Sequence, residues 1–226
     1  VKTVHHFFDD VGNEAIFVTA NQKIFMSEST TNYMDTLTDV TPTGYLITDD
    51  DWKIVNFNGA AYFFQVGLEP LVYTHDEGLR TFGEVRGSDT DPRFFCHEAI
   101  AAYGRLFVVD NGADKQIVSW SDLLIGHDWS GGTSGSIDIS KVWPDGYDEI
   151  VALAAHNGLL IIFGQHSIVV YQGAQAPATM ALADTVAGVG CVDRDTIQYT
   201  GTDVLFLSHT GLKSFGRTIQ ESVNLS

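Results

Sequence analysis

Short apolar runs broken by brief polar connectors recur along the whole chain, and their arrangement predicts most of its secondary structure. In "NGLLIIFGQHSIVVYQG", residues 157–173, two such runs (159–163 and 168–171) flank Gly164-Gln165-His166-Ser167, the pattern of a β-hairpin. Four further segments repeat it, each with a small turn, an apolar run, a connector and a second run ending in an aromatic. They are "GNEAIFVTANQKIFMSE" from Gly12, "NGAAYFFQVGLEPLVYTH" from Asn58, "YGRLFVVDNGADKQIVSWSD" from Tyr103 and "TGTDVLFLSHTGLKSFGR" from Thr200. The closing aromatics Phe25, Tyr73, Trp120, Tyr171 and Phe215 stand 48, 47, 51 and 44 residues apart. Another short strand precedes most hairpins: "KIVNF" at 53–57, "EAIAAY" at 98–103, "EIVALAAH" at 149–156 and "DTIQYT" at 195–200.

A period of roughly 40–50 residues holding three or four strands is the mark of a propeller blade. The expected fold class is therefore all-β, a β-propeller with about five blade-like repeats visible, which leaves room for a larger propeller. A blade buries both faces against its neighbours, which explains why run 159–163 is continuously apolar and not alternating. The best helical candidate is "PATMALADTV", residues 177–186, closed by Gly188. The long segments 27–45, 76–94 and 123–143 are rich in Ser, Thr, Asp and Gly and are expected to be surface loops. Because the chain opens on Val1 and not Met, residues 1–226 are read as a single β-propeller domain from a longer polypeptide.

Composition sharpens this picture mainly through charge. Apolar residues make up 44% and charged residues 18%, with 22 Gly and 5 Pro, as suits a well-packed, turn-rich strand protein. The 29 acidic residues against 12 basic ones give a net charge of −17, which opposes adhesive binding to a phosphate backbone by the chain as a whole. Cys96 and Cys191 lack zinc or redox spacing and read as buried free thiols. No apolar stretch reaches the roughly 18 residues of a membrane helix, so no membrane insertion is expected.

The candidate chemistry is thin. Asp49-Asp50-Asp51 offers clustered carboxylates, but the EF-hand spacing is missing and a strand-entry turn explains the run equally well. The Asp-rich segments "SDTDPR" (88–93) and "PDGYDE" (144–149) read as turns. The eight histidines, among them His156, His166 and His209 beside hairpin turns, show no metal-ligand spacing. The stretch "WSGGTSGS", residues 129–136, lacks the Lys-Ser/Thr of a phosphate loop and the register of a nucleophile elbow. Trp120 closes a repeat and belongs to the core, whereas Trp129 and Trp143, in a long loop, are the candidates for a ligand-facing aromatic platform. No catalytic, cofactor-binding or metal-binding residue is assigned, and no cofactor is expected.

Between residues 103 and 217 the sequence resembles the tail nozzle proteins of short-tailed bacteriophages, the tail tubular protein B and phage stabilisation protein type. The resemblance rests on Trp120-Ser121-Asp122, on Asp148-Glu149-Ile150-Val151, on the Asn-Gly-Leu-Leu hairpin start at Asn157, on "GVGCVDRDTIQ" (188–198) and on "DVLFLSHTGLKS" (203–214). It covers about half the chain, and its motifs build a fold and carry no catalysis. It implies a virion structural protein of the phage tail that forms a homo-oligomeric ring, a hexamer, around the DNA exit channel and takes part in host attachment and genome ejection. The implied partners are the tail adaptor and tail fibre proteins, with the genome passing through unbound. An acidic wall suits that role, because it keeps duplex DNA hydrated and off the surface. Asp49, Asp50, Asp51, Asp89 and Asp91 are the acids expected to face such a channel. Two rivals remain. An extracellular glycan-binding propeller requires Trp129 or Trp143 exposed beside acids, and a propeller glycosidase requires two carboxylates roughly 5–10 Å apart in a central cavity.

Overall fold

The computed structural model describes residues 1–27, 36–86, 96–110 and 116–223. They form an all-β structure of five successive antiparallel sheets, each built from strands consecutive in sequence. The first sheet comprises β1 (Thr3–Phe8), β2 (Glu14–Ala20), β3 (Lys23–Ser27) and β4 (Thr38–Asp39), and the second β5 (Lys53–Phe57), β6 (Ala60–Phe64), β7 (Leu71–Thr74) and β8 (Gly78–Thr81), followed by α1 (Phe82–Arg86). The third holds β9 (Glu98–Ala102), β10 (Arg105–Asp110), β11 (Ile117–Trp120) and β12 (Gly135–Asp138). The fourth holds β13 (Ile150–His156), β14 (Leu159–Gly164), β15 (Ser167–Gln172) and β16 (Ala181–Ala187). The fifth has three strands, β17 (Gln198–Tyr199), β18 (Val204–Ser208) and β19 (Gly211–Ser214), and ends in α2 (Phe215–Val223).

Local chemistry fixes these hairpins. Asn58-Gly59 and Asn157-Gly158 each carry two positive φ angles between the paired residues Phe57↔Ala60 and His156↔Leu159, the mirror-image turn that matches strand twist. Tyr103-Gly104 takes the same geometry in the third sheet, where the Tyr103 hydroxyl donates to the Leu159 carbonyl at 2.8 Å and ties that turn to the fourth sheet.

The sheets stack face to face in chain order. Phe7, Phe17 and Ile24 of the first meet Phe63, Leu71 and Tyr73 of the second. Tyr62 and Phe64, on the second sheet's other face, meet Leu106 and Val108 of the third. Phe107 and Trp120 meet Leu160, Ile162 and Tyr171 of the fourth, whose Ile161, Phe163 and Val170 meet Phe206 and Phe215. The continuous apolar runs on β6 and β14 thus serve two cores each, as expected for strands covered on both faces. The first strands of the first four sheets lie beside one another, β1 by β5, β5 by β9 and β9 by β13. Among the described residues no apolar cluster joins the fifth sheet to the first.

Several expectations need correction. Residues 177–186 are not a helix: a 3-10 turn, Pro177–Thr179, leads into β16, which pairs with β15 from Ser167↔Ala187 to Gln172↔Ala181. Ladder pairing there overrides the helix preference of Ala and Leu. The long segments are not wholly loop either, since each holds the fourth strand of its sheet, β4, β8 or β12. Phe215 opens α2 and does not end a strand, although its side chain is core.

Trp129 and Trp143 offer no platform. Both are buried, at 3% and 4% exposure, because the loop folds back over the third sheet and its Trp side chains seal cores on either side. The Trp143 indole donates to Gln116 Oε1 at 2.6 Å, and the Gln116 amide donates in turn to the Asp148 carbonyl.

Asp148 closes the fourth sheet's entrance. Its carboxylate accepts from the backbone N–H of Glu149 (2.8 Å), Gln165 (2.9 Å) and His166 (2.9 Å) while 4% exposed. Asp148→Ala strands those donors and is expected to lower the unfolding free energy by about 2–3 kcal/mol, read from denaturant midpoints at unchanged m value.

Candidate functional site at the mouth of the inner strands

The chain segments that enter the inner strands converge at one end of the sheet stack. Thr48, Asp49 and Asp51 precede β5, His97 precedes β9, Val151 lies in β13, and Val192, Asp193 and Arg194 precede β17. With Gln65 and Val66 they line a polar cavity of about 550 Å³.

Arg194 crosses this mouth. Its guanidinium donates through Nη1 to the His97 carbonyl and through Nη2 to Asp51 Oδ1 at 2.7 Å, and Nε lies 3.8 Å from the Asp195 carboxylate. The side chain is 12% exposed while Asp51 is 53% exposed, so the bond to the His97 carbonyl is the more sheltered of the two. One arginine thereby ties the loop before the fifth sheet to the entrances of the second and third. Behind it, Lys53 Nζ sits 3.1 Å from Glu98 Oε1, joining the inner strands β5 and β9. Glu98 is 1% exposed, and burial pushes its carboxyl up to about 7 even though Lys53 and Arg194 favour the charged form. Arg194→Gln is expected to cost about 1–2 kcal/mol of stability and to make Asp49, Asp51 and His97 more open to solvent, which amide hydrogen exchange across those segments reads directly.

The acidic run is divided among several partners here. Asp49 pairs with Lys2 at 2.8 Å, a hydrogen bond that holds its carboxyl below the usual range. Asp50 accepts from the Gln22 N–H at 2.7 Å, and its carbonyl takes the Thr19 hydroxyl at 2.6 Å. Asp51 takes Arg194. Asp49 and Asp51 do line the cavity, but their charge is answered by cations, and Asp50 serves the joint between the first and second sheets. Asp89 and Asp91 lie outside the described residues. No three His, Cys, Asp or Glu side chains among the described residues come together as a metal site.

Inner strands near enough for one arginine to bridge leave no passage for a nucleic-acid duplex between them.

A larger hollow of about 750 Å³ lies between the fourth and fifth sheets, beside His156, Asp184, Asp203 and Arg217. Asp203 is committed to structure there, accepting from Val204 N–H (2.8 Å), Gly216 N–H (3.0 Å) and the Ser214 hydroxyl. His166 and His209 stack with ring centroids 5.6 Å apart. Cys96 and Cys191 are buried free thiols.

Sequence reasoning missed Arg194, Lys53 and Glu98 as a group. A signal was present: Lys53, Glu98 and Glu149 each stand at or just before the start of an inner strand, a charged residue where an apolar run begins.

No family model and no curated protein matches the chain. Among solved structures, it is similar to the extracellular domain ascribed to a hybrid two component system of B. thetaiotaomicron, with 14% identity and a TM-score of 0.60 over 96% of this chain. It is also similar to PorZ, described as an essential bacterial surface component of the type-IX secretion system of Porphyromonas gingivalis, with 9% identity and a TM-score of 0.55 over 96% of this chain. A third likeness is to BBS1N in its complex with ARL6DN, with 9% identity and a TM-score of 0.53 over 93% of this chain. The chain spans 28% of the length of the first two and 63% of the third. At these identities the likeness concerns the fold.

Proposed function

We propose that this chain is a β-propeller module that acts by assembly and contact, without chemistry of its own, as a wall element of a phage tail nozzle. The observation that carries the reading is where the family-like motifs fall. Asp122, Asp148, Asp193 and Asp203, one from each of four quoted motifs, accept backbone N–H groups at sheet entrances and turns, so the resemblance is to a way of building sheets and not to a reactive site. Five stacked sheets support the propeller reading. The −17 charge supports a surface past which DNA moves without adhering. With the inner mouth bridged by Arg194, the genome path in such a tail runs between copies of the chain, arranged as a ring, in contact with adaptor and fibre proteins.

A second reading, an extracellular contact module on a cell surface, is favoured by the first two solved structures, an extracellular domain and a surface component, neither of which is a tail protein. Its glycan-platform form loses its support with Trp129 and Trp143 buried. Antibody labelling separates the two readings: decoration of the tails of purified virions is the expected result, whereas labelling confined to intact bacterial cells favours the surface module and overturns the nozzle.

A further inference from the structure

Two hairpin turns on neighbouring sheets bring His166 and His209 together. His166 lies in the turn between β14 and β15 and His209 in the turn between β18 and β19, and their ring centroids stand 5.6 Å apart with 27° between the ring planes. Both residues are exposed, and neither ring takes a hydrogen bond or ion pair among the described residues. Other histidines are committed to structure: His5 meets Asn56, His97 meets the Ile150 carbonyl and His156 meets Asn157. The two turns are also stitched to each other by consecutive residues. Cys191 N–H donates to the Gly164 carbonyl at 2.9 Å, and Val192 N–H donates to the Leu207 carbonyl at 2.8 Å. Gly190 crosses so close to the first turn that a Cβ there would collide with the backbone of Gln165 and His166. The His166 N–H is bound in turn by the Asp148 carboxylate at 2.9 Å. The imidazoles can therefore rotate, while the backbone that carries them is fixed.

We propose that His166 and His209 form a binding site for one divalent transition-metal ion of the zinc and copper class, which pins the fourth sheet to the fifth. A neutral imidazole keeps one nitrogen lone pair free, and imidazole nitrogen suits zinc, copper and nickel. Two imidazoles that share one tetrahedral ion, each through a metal–nitrogen bond of about 2.1 Å, bring their ring centres to about 5 Å. Side-chain rotation alone thus converts the observed 5.6 Å pair into a chelate. Ring packing gives the pair little by itself, because exposed rings remove little area from water and leave their nitrogens unanswered by the described residues. The −17 charge raises the concentration of cations around the chain. Water completes the coordination shell, and the ion acts as a cross-link. The inference is independent of the nozzle reading and of the surface reading.

The test is calorimetric titration of the 226-residue chain with zinc chloride at about pH 7.5, where an ordinary imidazole is neutral. One saturable site per chain is expected. His166→Asn and His209→Asn are each expected to weaken it at least about tenfold, whereas His75→Asn, in the turn between β7 and β8, leaves it unchanged. Absence of saturable binding in the parent overturns the proposal, and so does binding that survives either substitution at the pair. Diethyl pyrocarbonate modification of the parent gives a reading that needs no variant: zinc at about ten times its Kd is expected to slow acylation of both His166 and His209 about tenfold, mapped by peptide mass. Zinc that leaves those two rates unchanged, or protects other histidines in their place, overturns the site.

Discussion

Trp143→Ala is expected to lower the unfolding free energy by about 3–5 kcal/mol, the cost of emptying a large aromatic site in a close-packed core. The side chain is 4% exposed among Trp120, Ile150 and Leu153, and its indole holds Gln116 at 2.6 Å, so truncation opens a cavity and also strands a buried amide. Chemical denaturation followed by circular dichroism measures it. Trp143→Phe fills most of the space and is expected to lose less than half as much. If Trp143→Ala unfolded at the same denaturant concentration as the parent, the loop would not be seated on the third and fourth sheets as described.

The second large effect is pH dependence set by Glu98. Its carboxyl is raised from an ordinary 4.5 to about 7 by complete burial. Between those two values the folded chain keeps a proton that the unfolded chain releases, so stability falls as pH rises through the window. At one pK unit per 1.4 kcal/mol, this group accounts for a loss on the order of 3 kcal/mol by pH 8 relative to pH 4. Glu98→Gln keeps the shape and removes the titration. It is expected to flatten that limb and to make the protein more stable than the parent at pH 8 by about 1–3 kcal/mol. A parent curve flat from pH 5 to 8, or a variant with an unchanged limb, would contradict the assignment. The carboxylates Asp9, Asp39, Asp49, Asp122 and Asp203 have carboxyls held low and act in the opposite sense, losing stability as pH drops through the acid range, so the Glu98 limb is best read above pH 5.

The hairpins were legible because strands covered on both faces leave unbroken apolar runs, and because Asn-Gly turns at 58 and 157 announce a two-residue reversal. The outer strands were not. Thr38 and Asp39 are exposed, and Gly135–Asp138 alternates small and polar residues around a single Ile137, so nothing separates such edges from loop. Residues 181–187 misled for a physical reason: Ala and Leu at an exposed edge favour helix locally, and only pairing with β15 makes the segment strand. At the candidate site, the acidic run at 49–51 drew notice, but its meaning depended on Arg194, 143 residues from Asp51. A partner at that distance leaves no local pattern. The same holds for Trp129 and Trp143, whose loop composition suggested exposure while their size, once the chain returned over the third sheet, made them core.

Cryo-electron microscopy of the native assembly containing this chain decides between the two readings. The expected result is a ring of copies around a duplex-wide channel, with Arg194 bridging the inner mouth of each copy's sheets and the channel running between copies. A solitary subunit on a cell surface, or a duplex threaded through the line where Arg194 meets Asp51 and His97, would contradict it.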